Sequence, residues 1–249
     1  IAPVTPDVVF VAVPPDQTAD EVAAALKAYP EATVSDVSSV KSEPIEALQA
    51  RGVDLSRYVG GHPMAGREVS GAAAGRGDLF EDRPWILTPI GVTSPHRLEQ
   101  VATLAEQMHA VVRLMDPDEH DRAVALCSHA PQVVASLLAA QLLGASAADV
   151  SVAGPGVRDT TRIAASDPGL WAQILLANAE HVEVYLERFG QDVATFQKAL
   201  TTRDEASVRE LLGRGVQGRG RLPGKHGGEA ADFATVSVVI EDAPGQLAA

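Results

Sequence analysis

The spacing of apolar positions changes near residue 116, and the change divides the chain into two kinds of structure. Before it, short apolar runs alternate with amphipathic stretches. Residues 7–13, DVVFVAV, form an unbroken β-branched run, the pattern of a strand buried on both faces of a parallel sheet. Pro14 and Pro15 end it. TADEVAAALKAY then predicts a helix, with Thr18 as its candidate N-cap and acidic residues in its first turn. ATVSDVSS predicts a second strand ending near Asp36, and EPIEALQARG a short helix with Gly52 past its end. YVGGHPM, WILTP and VVRLM predict three more strands, with a helix over SPHRLEQVATLAEQMHA before the last. Strands alternating with helices imply crossover connections and a parallel sheet over residues 1–115.

From Asp116 the pattern is helical. Asp116 is the N-cap of DPDEHDRAVALCSHAPQVVASLLAAQLLG, with Pro117 next and Glu119 three residues after the cap. A bend is expected near Pro131. SDPGLWAQILLANAEHVEVYLERFG repeats the device with Asp167 and Pro168. A further helix, from Asp192, is expected to break near Arg203. Residues 116–213 thus form an all-helical region. Residues 214–232 are Gly-rich and basic and predict a flexible linker. A new strand begins in 233–249.

Composition narrows the partners. The chain has 249 residues, 46% hydrophobic and only 4% aromatic, so its core rests on Ala, Val and Leu. A net charge of −13 argues against nucleic acid, whose phosphates require clustered Lys and Arg. The single cysteine, Cys127, excludes an internal disulfide, fits a reducing cytoplasm and is expected to be a small buried hydrophobe. The most apolar run, Val133 to Leu143, is short for a bilayer span, and no membrane partner is expected. Ile1 stands where a start methionine would be, and both ends read as limits of a fragment.

Candidate chemistry sits where parallel strands end, because ligands bind at their carboxyl ends. His62 follows Gly60 and Gly61 and precedes Pro63. A neutral imidazole there can accept a proton near pH 7; the plainer alternative is a loop histidine satisfied by backbone. Ser39 lies beyond a neighbouring strand, with Lys41 two residues on, and could bond His62 or a ligand hydroxyl, or simply cap a turn. Arg158 and Arg162, one helical turn apart with Asp159 between them, could clamp a carboxylate or form a solvated face. His129 and Gln132 interrupt an apolar helix and need partners. No metal-ligand spacing is convincing, and no GxGxxG turn follows a strand. GAAAGRG, residues 71–77, reads as a loop.

In this order the motifs VVFVAVPP, SDVSSVK, GGHPMAG with Glu68 and Gly71 after it, DEHDRAVALCSHAPQ and GPGVRDTTRIAASDPGLWAQILLAN resemble the prephenate/arogenate dehydrogenase family. The tail VVIEDAPGQLA resembles the first strand and turn of a regulatory ACT domain, as in actinobacterial-type members. The resemblance implies a partial Rossmann domain, an all-helical domain that builds a homodimer, and the start of an ACT domain. It implies oxidative decarboxylation of prephenate or arogenate with NAD or NADP in tyrosine biosynthesis, with tyrosine as a candidate regulator. His62 matches the catalytic histidine and Ser39 the serine beside it. Arg162 matches the carboxylate anchor. Arg158, Asp159, Glu68, His129 and Trp171 match pocket positions, and Gln132 replaces a family histidine. Val13, Pro14, Pro15, Ser38, Ser39 and Gly61 fall on the cofactor side. The family's first strand and GxGxxG turn have no counterpart here, so the chain as given is expected to bind cofactor poorly. Two rivals remain at this point. A β-hydroxyacid-type dehydrogenase would need a catalytic lysine, which RDTTRIA lacks. A non-catalytic dimeric scaffold with a regulatory tail would bind tyrosine without turnover.

Overall fold

In the computed structural model, which describes residues 5–66 and 75–222, the apolar runs form one five-stranded sheet. Strands β1 (Val8–Val11), β2 (Thr33–Asp36), β3 (Tyr58–Pro63), β4 (Pro84–Thr88) and β5 (Val111–Leu114) lie in chain order across it. β1, β2 and β3 run parallel, as do β4 and β5. The β3–β4 pair is antiparallel, contrary to the all-parallel expectation. The other connections carry helices: α1 (Pro15–Ala28), α2 (Ser42–Ala50) and α3 (Pro95–Gln107). No helix stands between β3 and β4 among the described residues, and a connection without a helical crossover suits an antiparallel return.

Helices cover both faces. Val22 and Leu26 of α1 and Ile45 and Leu48 of α2 pack with Val11 and Val34 on one side. Val101 and Ala105 of α3 pack with Val59, Trp85 and Leu87 on the other. Two-sided burial holds for the inner strands β2, β3 and β4, whereas β1, expected to be buried on both faces, lies at the sheet edge with Phe10 exposed, as β5 does with Leu114. Thr18 is not a cap. α1 begins earlier, at Pro15, and the Thr18 hydroxyl donates back to the Pro14 carbonyl at 3.2 Å. Proline at the first helical position loses no intrahelical bond, so the helix can start directly after the strand's turn.

The glycines of β3 are set by packing. A Cβ on Gly61 would lie 2.6 Å from the Asp36 carbonyl oxygen, and one on Gly60 would lie 2.4 Å from Thr88 Oγ1. Neither fits without displacement. Gly61→Ala is therefore expected to destabilise the chain by about 1–3 kcal/mol through overpacking. Thermal melts check this, and an unchanged melting temperature would refute the close approach.

The helical region opens with α4 (Pro117–Val124), where the Asp116 side chain accepts from the Asp118 N–H as expected of a cap. A wide π turn (Ala125–His129) leads into α5 (Ala130–Ala140). The irregularity thus precedes Pro131. The wide turn keeps Ala125 and His129 on the buried face and leaves Leu126 and Cys127 outside, so Cys127 is exposed, against expectation. Short α6 (Ala147–Ser151) and α7 (Pro155–Thr161) follow, and then α8 (Pro168–Ala177), capped by Asp167. The chain breaks at Asn178, runs through α9 (Ala179–Thr202), and turns at Arg203, φ 54°, into α10 (Glu205–Gly220). Residues 214–220, expected in the linker, are thus helical. Arg214 pairs with Asp192 of α9, and this packing outweighs the low helix propensity of their glycines. The rest of the expected linker from residue 223, and the ACT-like segment at 233–249, lie outside the described residues.

The stretch Pro117–Gly144 is long and apolar enough to cross a membrane by length and composition alone. Its buried His120, Asp121, His129 and Gln132 are bonded to other parts of the fold, as in a helix that joins two layers of protein.

Candidate active site

A cavity of about 510 Å³ opens at the carboxyl ends of β1, β2 and β3. Phe10, Val37, Phe80 and Trp85 make its apolar wall, and Ser39 and His62 are its polar members. His62 is 8% exposed. Gly61 carries it past Asp36, and the flat pair of glycines brings β3 close enough for its histidine to reach the helical region. There His62 Nδ1 meets His120 Nε2 at 2.8 Å, and His120 Nδ1 meets Asp121 Oδ1 at 2.8 Å.

Asp121 serves both regions. Its Oδ1 accepts the Lys41 N–H at 2.9 Å, and its Oδ2 the Ser42 N–H at 2.8 Å. It therefore fills the amino end of α2, where unpaired N–H groups would otherwise attract an anion. These contacts hold the Asp121 carboxyl below its ordinary range despite burial. Burial lowers His120, against the raising influence of Asp121. Burial also pushes His62 well below the ordinary histidine value, with His120, Lys41 and His129 adding to the effect. His62 is thus neutral near pH 7, as a proton acceptor must be.

Beneath lies a second buried group. Lys41 Nζ bonds Asp36 and donates to the Gly61 carbonyl at 2.7 Å, while the Tyr58 hydroxyl donates to Asp36 at 2.5 Å. Both Lys41 and Asp36 are fully buried. Gly61 thus serves to anchor β3, and the Lys41 cation sits behind the histidine.

From Asp121 the network continues outward. Asn178 donates to the Asp121 carbonyl at 2.7 Å and, at 3.1 Å, to His129 Nδ1. His129 therefore carries its proton on Nε2, which is buried and has no protein partner. Burial lowers its pKa to about 4. Trp171 stands edge-on to it, ring centres 6.0 Å apart. Gln132 donates to the Ile163 carbonyl at 3.0 Å, tying α5 to the turn that begins with Arg162, while its Oε1 is buried and unpartnered. A donor and an acceptor thus remain unused in the protein interior, as at a ligand site.

The structure therefore joins Ser39 and His62 at one cavity. It links His129, and Trp171 against it, to His62 through Asn178 and Asp121, whereas Gln132 bonds only Ser136 and the Ile163 carbonyl. Arg158, Asp159 and Arg162 lie on exposed positions of α7 and the turn after it and do not line that cavity. Glu68 lies outside the described residues. Ser38 is buried, its N–H bonded to Asp36 and its hydroxyl unpartnered. Val13 and Pro14 form the turn after β1, and Pro15 starts α1. His120, Asp121 and Asn178 are functional candidates that the sequence did not single out. Among the described residues no cluster of His, Cys, Asp and Glu could hold a metal ion.

The cavity's apolar walls and single face of polar groups suit a flat heteroaromatic ring, so they fit the nicotinamide end of a dinucleotide. The described strand ends offer no place for its phosphates: α1 starts with two prolines, and the α2 amides are taken by Asp121.

Two family models match the chain: the prephenate dehydrogenase nucleotide-binding domain over residues 3–114 and the prephenate dehydrogenase dimerization domain over 116–214. The chain belongs to the prephenate dehydrogenase family. It is 34% identical to NovF of Streptomyces niveus, named a probable prephenate dehydrogenase, over 99% of this chain and 71% of that protein. It is 32% identical to the prephenate dehydrogenase of Bacillus subtilis, over 87% of this chain and 59% of that one. Among solved structures it resembles prephenate dehydrogenase from A. aeolicus in complex with hydroxyphenyl propionate and NAD+. That match has a TM-score of 0.76 and 32% identity over 86% of this chain and 76% of the other. It also resembles Synechocystis arogenate dehydrogenase, with a TM-score of 0.70 and 27% identity over 86% and 78%. The parallel-dominated sheet followed by helices is the family's fold.

Proposed function

We propose that this chain is the catalytic part of an NAD- or NADP-dependent prephenate dehydrogenase of tyrosine biosynthesis. In this reading residues 1–115 form the nucleotide-binding domain and 116–213 the substrate and dimerisation domain of a cytoplasmic homodimer. The same reading gives tyrosine regulation to residues 233–249. The observation that carries the reading is the neutral, buried His62 beside Ser39 at the mouth of an apolar cavity over the ends of parallel strands.

The chemistry follows from where the charges lie. Prephenate carries a hydroxyl on the ring carbon that loses hydride and a carboxylate on the opposite one. Bound nicotinamide would supply the hydride acceptor. His62 takes the hydroxyl proton on Nε2 as the C–O bond becomes a carbonyl, and Ser39 orients that oxygen. Loss of carbon dioxide then makes the ring aromatic, and His62 returns the proton to the phenolate oxygen. Arg162 anchors a substrate carboxylate, with Arg158 and Asp159 beside it.

One observation favours arogenate as a second substrate. The buried Gln132 Oε1 lacks a donor, and the arogenate amino group supplies one where prephenate presents a keto oxygen. Turnover of both compounds by the full-length protein tests the reading, and turnover of neither refutes it. In the same assay Arg162→Ala is expected to raise KM about 10-fold or more with kcat little changed, the sign of lost carboxylate binding. A fall in kcat at constant KM would remove Arg162 from that role.

A further inference from the structure

We infer that His120 and Asp121 are positioning residues that fix the tautomer of His62, presenting a bare Nε2 to the substrate hydroxyl. The proposal rests on His62 being the proton acceptor and explains how it is set for that task.

The order of protons is set at the carboxylate. Asp121 is ionised and can only accept. His120 Nδ1, 2.8 Å from Asp121 Oδ1, must therefore carry a hydrogen. Burial keeps His120 neutral, so its Nε2 is bare and can only accept. His62 Nδ1, 2.8 Å from that Nε2, must in turn be the donor. A neutral His62 with its proton on Nδ1 has a lone pair on Nε2. Each proton position follows from the one before it, and the chain ends on a carboxylate pinned by two backbone N–H groups of another element.

The order also serves the reacting state. When His62 takes the hydroxyl proton it becomes a cation, facing Lys41, His120 and His129. Lys41 opposes that charge. The Nδ1–H bond to His120, with Asp121 beyond, offsets it. The proton stays on Nε2 and returns to the product oxygen, so the relay is unchanged after turnover. His120 is wholly buried, with both ring nitrogens bonded.

The test is long-range ¹H–¹⁵N correlation on full-length protein with ¹⁵N-labelled histidine. The His62 signal is assigned by its loss in His62→Asn. Nδ1 protonated and Nε2 bare is the expected pattern, and the opposite tautomer overturns the proposal without any variant. His120→Phe is expected to shift His62 toward the other tautomer and to lower kcat by at least about 10-fold with KM little changed. His120→Gln offers a side-chain oxygen to the Nδ1–H, so it should keep the tautomer and restore part of kcat even if the phenylalanine variant does not fold. A His62 tautomer unmoved by phenylalanine sinks the relay. The nuclear-resonance readout needs no turnover. Failure to oxidise prephenate or arogenate would therefore count against the proposed function alone, and turnover with the wrong tautomer against the relay alone.

Discussion

Replacing His62 with asparagine is expected to lower kcat by about 10²–10⁴-fold and leave KM nearly unchanged. The reason is the division of labour in the site. His62 acts only as the hydroxyl proton leaves, whereas the groups proposed as substrate anchors lie elsewhere, on α7 and the turn after it. Steady-state kinetics with prephenate check it, and a loss confined to KM would show that His62 binds and does not react. The pH dependence has a definite sign. Burial, His120, Lys41 and His129 all favour the neutral imidazole. Activity of the unaltered protein should hold steady as pH falls through about 6.5, the ordinary histidine value, and drop only in more acidic solution. A histidine-like limb at the ordinary value would contradict that environment.

Lys41→Met is expected to destabilise the fold by about 3–5 kcal/mol, the usual consequence of leaving a buried charge without its partner. Asp36 would keep only the Tyr58 hydroxyl and the Ser38 N–H. The Gly61 carbonyl would lose its donor as well. The double variant Lys41→Met with Asp36→Asn removes the stranded charge while keeping an acceptor for Tyr58, and should regain part of the loss. Urea titration reads both numbers. A single variant as stable as the parent, or a double variant no better than the single, would mean the pair contributes nothing.

Lys41 also shows where sequence reading stops. SDVSSVK offered Ser39 as the chemical residue and Lys41 as its neighbour. A lysine is normally solvated, and only the fold reveals a carboxylate beneath it. The strands were legible as short apolar or β-branched runs between helix-like stretches, although the edge strand β1 is only partly buried. The β3–β4 direction was not, since a strand has the same pattern in either direction. His62 stood out through its glycines and proline. His120 and Asp121 did not: in DEHDR they resemble the charged first turn of a surface helix, and their partners lie 58 residues away for His120 and 79 and 80 for Asp121. Cys127 was misjudged because one wide turn shifts the helix face, and nothing in ALCSH announces it. Gln132 was visible as a polar interruption, but its bond to Ile163 depends on a packing that no local spacing encodes.

The carboxylate at Asp121 holds two backbone amides of the sheet layer and one imidazole of the helical layer at the same time. Prying the layers apart would break the first two bonds and strand the charge that orders the third. The protein is thereby wired like an interlock: its reactive histidine is armed only while the two halves are latched, so a loosened molecule is silent before it is unfolded.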